Sequence, residues 1–373
     1  MPAVAKRKPA PKAKPTPAGQ KSLAKLFKAK SAPPPKEPLW KGPEVDGITF
    51  SLLSRFLVCR ERFRCLVVNG LQTQECFHAP LEFGSMWHVC EEQHAAQQVG
   101  GPAQVKLWED ALREYCVGLA RKHPMDREKI DHWYHVAQAI FPLYVDHWAK
   151  NPDVIDRTPL LQEQPFDVPY KLPSGRTVRL RGKWDSVDLI GKDQGAGIYL
   201  QENKTKSGID GLKIVRQLGF DLQTMMYLVA LGEDSKTRWG VGKPPPILGV
   251  RYNVVRRSAH KTTDSMLKKL EEDRDAGRIG EWFARWKVEV GAADIAKFRQ
   301  QCLDPILETL CDWWELMTVC KGAKGCGAVR HWRHPFGVYN ILDEGGSSDL
   351  DEYLTTGSEV GLRRTTNLFP ELS

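Results

Sequence analysis

The sequence predicts an α/β fold with flanking helical insertions, and three observations carry that expectation. Apolar residues recur at helical spacing from Ser51 to Phe63, again from Leu81, and over 104–121 and 127–149. From Leu160 the period shortens to two, and Leu161–Val168, Thr177–Gly182, Arg181–Ile190 and Ile198–Lys206 read as strands. A helical pattern then returns over Gly211–Leu231, followed by a strand within Pro244–Val255 and two or three helices over roughly 263–318. Helices, strands, helix, strand is the order of an α/β domain.

Each element has a local reason. Residues 1–42 are rich in Lys, Pro and Ala, cannot bury a core, and are expected to be a disordered basic tail. Ser51 resembles a helix N-cap, and Asn151-Pro152 closes the helical stretch that precedes the strands. Pro173-Ser-Gly-Arg176 reads as the turn between the first two strands, and a Gly-rich segment joins the next two. Leu218, Leu222, Met225, Met226 and Val229 form the apolar face of the helix that follows. The folded domain is expected over 43–340, with a helical insertion at about 100–150, a helical region at about 260–320, and a tail at 341–373.

The net charge of +8 is unevenly placed. Residues 1–40 hold 10 Lys or Arg and one Glu, which leaves 44 basic and 45 acidic residues in the remainder. Net charge therefore gives the body no general affinity for nucleic acid, and any such site must be a local patch. No apolar run approaches the roughly 18–20 residues of a membrane span, and no apolar segment follows the basic start, so a cytoplasmic protein without a membrane partner is expected. Nine cysteines in such a chain point to thiols or metal ligands rather than disulfides.

The candidate chemistry lies on adjacent predicted strands. Asp185 is on the first; on the second, Glu202 and Lys204 share a face, with Asn203 opposite. Two carboxylates and an ammonium so placed suit a hard divalent cation and an activated water. On the following helix Gln223 and Tyr227 stand one turn apart, and upstream Gly84 precedes His88 by four residues. Taken in order, Ser54-Arg-Phe-Leu-Val-Cys59-Arg-Glu-Arg-Phe63, Gly84-x-x-x-His88, Asp185, Glu202-x-Lys204 and Gln223-x-x-x-Tyr227 resemble the PD-(D/E)XK nuclease superfamily, in its RecB-like and Cas4-like branch. The likeness runs from about residue 48 to 255.

The resemblance implies a restriction-endonuclease-like core, a mixed central sheet flanked by helices. It also implies site roles. Asp185, Glu202 and the Asn203 carbonyl would ligate Mg²⁺ or Mn²⁺, with His88 as a further ligand. Lys204 would orient the attacking water and stabilise the charged transition state, and Gln223 and Tyr227 would position Lys204 or the phosphate backbone. Glu163 is an outer-shell carboxylate in this scheme, and Arg181, Lys183, Lys206 and Arg216 would neutralise phosphates. Many relatives hold a 4Fe–4S cluster, for which Cys59, Cys311, Cys320 and Cys326 are the candidates. The close Cys-x-x-Cys pair such clusters use is absent, Met317 standing three residues before Cys320, so buried unligated cysteines are expected instead.

The function so implied is a metal-dependent DNA nuclease acting on ends or single strands, in repair, recombination or phage and mobile-element DNA processing. The alternatives are a non-catalytic DNA-binding or clamp-associated factor and an RNase. The tail adds one partner. Gln20-x-x-Leu23-x-x-Leu26-Phe27 resembles the peptides by which DNA-processing proteins hook onto sliding clamps. No Gly-x-x-x-x-Gly-Lys-Ser/Thr signature occurs, so a helicase would be a separate chain.

Overall fold

Thr49, rather than Ser51, caps the first helix: its hydroxyl accepts from the Leu52 N–H at 3.3 Å, and α1 runs Phe50–Val58. This computed structural model describes residues 38–72, 77–98, 107–192, 195–218, 221–238, 245–257, 262–319 and 361–372. The clamp-like segment at Gln20–Phe27, and Cys320 and Cys326, lie outside the described residues. Trp40, assigned to the tail by a boundary at residue 42, is fully buried and donates its indole N–H to the Gly47 carbonyl.

Three helices follow, α2 (Ala79–Gln98), α3 (Trp108–Lys122) and α4 (Arg127–Trp148). They pack around Phe83, Trp87, Ile140, Phe141 and Tyr144 as a layer on one side of the sheet. Beyond Pro152 the chain enters a long antiparallel hairpin, β1 (Arg157–Lys171) and β2 (Thr177–Ile190). The predicted strands Thr177–Gly182 and Arg181–Ile190 are thus one strand. The Pro173–Arg176 turn forms as expected, closed by the Leu172 N–H donating to the Arg176 carbonyl, with Gly175 at φ +90°.

β3 (Gly197–Lys206) pairs antiparallel with β2 and parallel with β4 (Ile247–Arg256). The parallel crossover is made by two helices, α5 (Gly211–Leu218) and α6 (Leu222–Arg238), where the sequence suggested one over Gly211–Leu231. Asp221 opens α6, its carboxylate accepting from the Thr224 hydroxyl and from the Tyr252 phenol. After α7 (Thr263–Asp275) comes a strand that the helical reading of 263–318 overlooked: β5 (Phe283–Glu289), antiparallel to β4. The sheet is mixed, in the order β1-β2-β3-β4-β5.

α8 (Ala292–Phe298) and α9 (Asp304–Val319) return to the side opposite α2–α4. There Leu303, Leu307 and Leu310 join Trp184, Leu200, Val250, Met226 and Leu228 in the main core. Part of the region assigned to a C-terminal tail belongs to the body: Arg363–Arg364 pairs with Leu71–Gln72, and Phe369 is buried beneath the Arg181 guanidinium. Among the described residues no helix is long and apolar enough to cross a membrane.

Candidate active site

The site forms where the β1–β2 hairpin meets β3 and α2. In β1, Glu163 has φ +44°, the only positive φ outside glycine among the described residues. The neighbouring pairs Gln162↔Ser186 and Gln164↔Trp184 hold Glu163 opposite Asp185, and the strained backbone turns its carboxylate toward α2. There it meets His88, with Oε1 2.7 Å from Nδ1. Asp185 Oδ1 is 3.7 Å from the same nitrogen, and Asp185 Oδ2 accepts from the Asn203 backbone N–H at 2.8 Å. The bond to Asn203 ties the β2 carboxylate to the strand that carries Glu202 and Lys204.

His88, Glu163 and Asp185 bring one ligand atom each to within 4.8 Å of one another. The structure therefore promotes Glu163 from an outer carboxylate to a member of the central group. Glu202 is not in that group. It is fully buried, its Oε2 accepts from Lys204 Nζ at 2.7 Å, and its Oε1 has no hydrogen-bond partner. A buried carboxylate oxygen left bare costs free energy, and an approaching cation or water would relieve that cost.

The electrostatics describe carboxylates and cations that hold one another's charge states. Burial works against the imidazolium of His88, but the Asp185 and Glu163 carboxylates outweigh it and raise the group to about 9. Burial also opposes ionisation of Glu163, yet the His88 hydrogen bond and Lys183 draw it below the usual carboxylate range. For Glu202 burial dominates and pushes the carboxyl up to about 7, even with Lys204 beside it. Lys204 is itself held protonated by Glu202 and Asp185 against its burial. Carboxylate oxygens beside an imidazole are a ligand set that fits a divalent cation.

Behind this group Tyr227 is almost buried, its phenol raised by burial and by the nearby Glu202 and Asp185 charges, and Gln223 hydrogen-bonds it. The ring rests against Gly182, where a Cβ would stand 3.0 Å from Tyr227 Cε1. Of the basic residues, Lys183 joins the site by pairing with Glu163 at 2.8 Å. Arg181 does not. Its guanidinium pairs with Asp167, donates to the Asp46 carbonyl and covers Phe369. Lys206 and Arg216 are exposed at the end of β3 and on α5.

One residue escaped the sequence reading. Glu92, one turn beyond His88 on α2, feels Glu163, Lys183 and His88, and burial raises its carboxyl. The i, i+4 spacing from His88 was its only signal. Asn203 points its side chain away from the site, as alternation requires, and its Oδ1 accepts from Gln201 and Asn253 on the far face. Cys59 packs beside Cys65 and Leu71, whereas Cys311 lies in the main core, and the described cysteines form no metal-binding group of three.

Comparison with curated proteins gives no match. A family profile described as the PD-(D/E)XK nuclease superfamily matches residues 48–321, a span that contains all five strands of the mixed sheet and every residue of the site. With the mixed five-stranded sheet, that match makes the chain a member of the PD-(D/E)XK nuclease superfamily.

Proposed function

We propose that the protein is a metal-dependent deoxyribonuclease of the RecB-like kind, acting on DNA ends or single strands with Mg²⁺ or Mn²⁺. The observation that carries this reading is the convergence of His88, Glu163 and Asp185 beside the Glu202–Lys204 pair. His88, Glu163 and Asp185 would hold the cation, and the bare Oε1 of Glu202 would complete its surroundings directly or through water. When bound, the cation supplies a Lewis acid that lowers the pKa of water and neutralises charge on the phosphoryl oxygens.

The chain's own residues do the rest. Lys204, whose side chain is about one-third exposed, is the group placed to donate to the attacking water or to a phosphoryl oxygen. Glu202 fixes the direction of that ammonium. Asn203 holds Asp185 through its backbone N–H, so the ligands on β2 and the lysine on β3 keep one geometry. Gln223 and Tyr227 brace the same spot from α6.

The test is digestion of end-labelled single- and double-stranded DNA with each divalent metal, beside Glu202→Ala and Lys204→Ala. Metal-dependent cleavage by the parent chain and its loss in both variants, with unchanged circular dichroism, is the expected result. Equal cleavage by the variants would refute the site, and cleavage of RNA alone would replace the substrate. The clamp-like segment supports a second, separate proposal, docking onto a sliding clamp through Leu26 and Phe27; a pull-down that survives their change to Ala would sink it.

A further inference from the structure

The register of the sheet draws a line from the site to a groove that the nuclease chemistry does not use. Glu202 of β3 pairs with Tyr252 of β4, and Tyr252 pairs with Trp286 of β5. Directly paired residues share a face, so the three stand in one lateral row. Neighbouring strands are about 4.8 Å apart, which places the Trp286 backbone about 10 Å from that of Glu202.

Trp286 is half-buried and belongs to neither of the two large cores. It lines an open groove of about 870 Å³ with Ile209, Asp210, Gly211, Leu212 and Arg216. Leu212 is 78% exposed, and Arg216 is exposed one turn further along α5. The groove begins three residues after Lys206, at Ile209, so it continues the strand that carries Glu202 and Lys204.

We infer that this groove takes an unpaired nucleobase of a single-stranded substrate, stacked on Trp286 one or two nucleotides from the scissile phosphate. The inference rests on the nuclease reading above for the position of that phosphate. The chemistry selects the occupant. An aromatic face flanked by Ile209 and Leu212 suits the flat, apolar face of a base, and such stacking is indifferent to sequence. Arg216 on the rim supplies the cation for the adjoining backbone phosphate, while the Asp210 carboxylate disfavours a phosphate inside the groove. A paired base inside a duplex is stacked on its neighbours and offers no free face, so the groove discriminates for single strands.

The test measures binding rather than cleavage. Fluorescence anisotropy of labelled single-stranded and duplex oligonucleotides is recorded with the full-length chain bearing Glu202→Gln. Adding Trp286→Ala should weaken single-strand binding about 5- to 150-fold, the range for loss of one stacked base, while Trp286→Phe retains most of it. Duplex binding should be unchanged. An oligonucleotide walked through with single abasic sites should show one position where Trp286→Ala has no further effect. Gly211→Ala provides a variant that disturbs the fold little, since its Cβ would meet Trp286 Cζ2 at an ordinary 3.5 Å, and it should weaken single-strand binding by narrowing the groove. Unchanged single-strand affinity in Trp286→Ala, or an equal loss on duplex, overturns the inference. If the parent chain fails to cleave but shows the Trp286-dependent binding, the nuclease reading falls and the groove stands.

Discussion

Glu163 Oε1 lies 2.7 Å from His88 Nδ1, and Glu163 reaches it from a left-handed backbone, φ +44°. A side chain with a Cβ in that region costs roughly 1 kcal/mol, a strain that persists where the surroundings over-determine it. Here the flanking β1–β2 pairs and the two cations His88 and Lys183 hold it. Glu163→Ala and Glu163→Gly remove the same carboxylate but treat the backbone differently. Both are expected to lower divalent-cation affinity by tenfold or more on the order-of-magnitude scale of a lost or misplaced ligand. In urea unfolding, however, the Gly variant should exceed the Ala variant by about 1 kcal/mol. Calorimetric Mn²⁺ titration and equilibrium unfolding check the two halves; equal stability would mean that the backbone is unstrained.

Gly182 makes room for the rings behind the site. A Cβ there would stand 2.5 Å from Phe166 Cζ and 3.0 Å from Tyr227 Cε1, and Phe166 is its cross-strand partner. Neither ring can retreat easily, since Phe166 stacks on Trp184 at 4.4 Å and meets Tyr227 edge-on at 5.2 Å. Gly182→Ala should therefore destabilise by about 1–3 kcal/mol as an overpacked core does. Because Tyr227 must move, cleavage by the folded fraction should drop as well. Unfolding curves together with rates normalised to folded protein distinguish this from simple loss of stability, and wild-type values for both would disprove the tight fit.

The sheet and its chemistry were legible to different depths. Asp185, Glu202 and Lys204 stood out because a strand exposes alternate residues in the sequence itself, and the hairpin turn announced itself through Pro173-Ser-Gly. Glu163 was underrated because its importance comes from a backbone angle that no residue type signals when the residue is not glycine. The strand Phe283–Glu289 was hidden for another reason. It is an edge strand with mostly half-exposed residues and a short apolar content, set between helices, so its period of two is weak. At the start of α6 Asp221 accepts from Thr224 three residues on and from Tyr252 of β4, and the second of these contacts is not visible in the local sequence. Arg181 shares the strand face of Lys183, but its cross-strand partner Asp167, the Asp46 carbonyl and the Phe369 ring hold its guanidinium, contacts that the sequence alone does not display.

Asp185 and Asp188 are three residues apart on β2 and should respond to substitution in opposite ways. Asp188 is fully buried and pairs with both Arg251 at 2.6 Å and Arg157 at 2.8 Å, two guanidiniums that are themselves almost wholly buried. Asp188→Asn would leave those charges without compensation, a loss of about 3–5 kcal/mol by analogy with other broken buried pairs. Asp185→Asn keeps its acceptor for the Asn203 N–H and removes a charge from a carboxylate-rich site, so the fold should survive while cation binding is lost. Thermal melts and Mn²⁺ titration of the two variants form the comparison. A folded, stable Asp188→Asn chain would show that the far-face network is not held by charge.

Asp273 links stability to pH at the approach to Trp286. Its carboxylate accepts from Lys269 and Arg278 and from the Trp282 indole, fastening the end of α7 to the turn that leads into β5. The Lys269 hydrogen bond, with Arg278 and Trp282 in support, holds its carboxyl far below the usual range. A carboxyl depressed in the folded state stabilises fully above its unfolded value, about 3.9, and loses that contribution as pH falls through the folded value. Asp273→Asn should therefore melt below the parent chain at pH 6 by a gap that stays constant down to about pH 4 and narrows below it. Melts of both chains between pH 3 and pH 6 test this. A gap that widens on acidification would reverse the sign and exclude an ionised Asp273 as the anchor of β5.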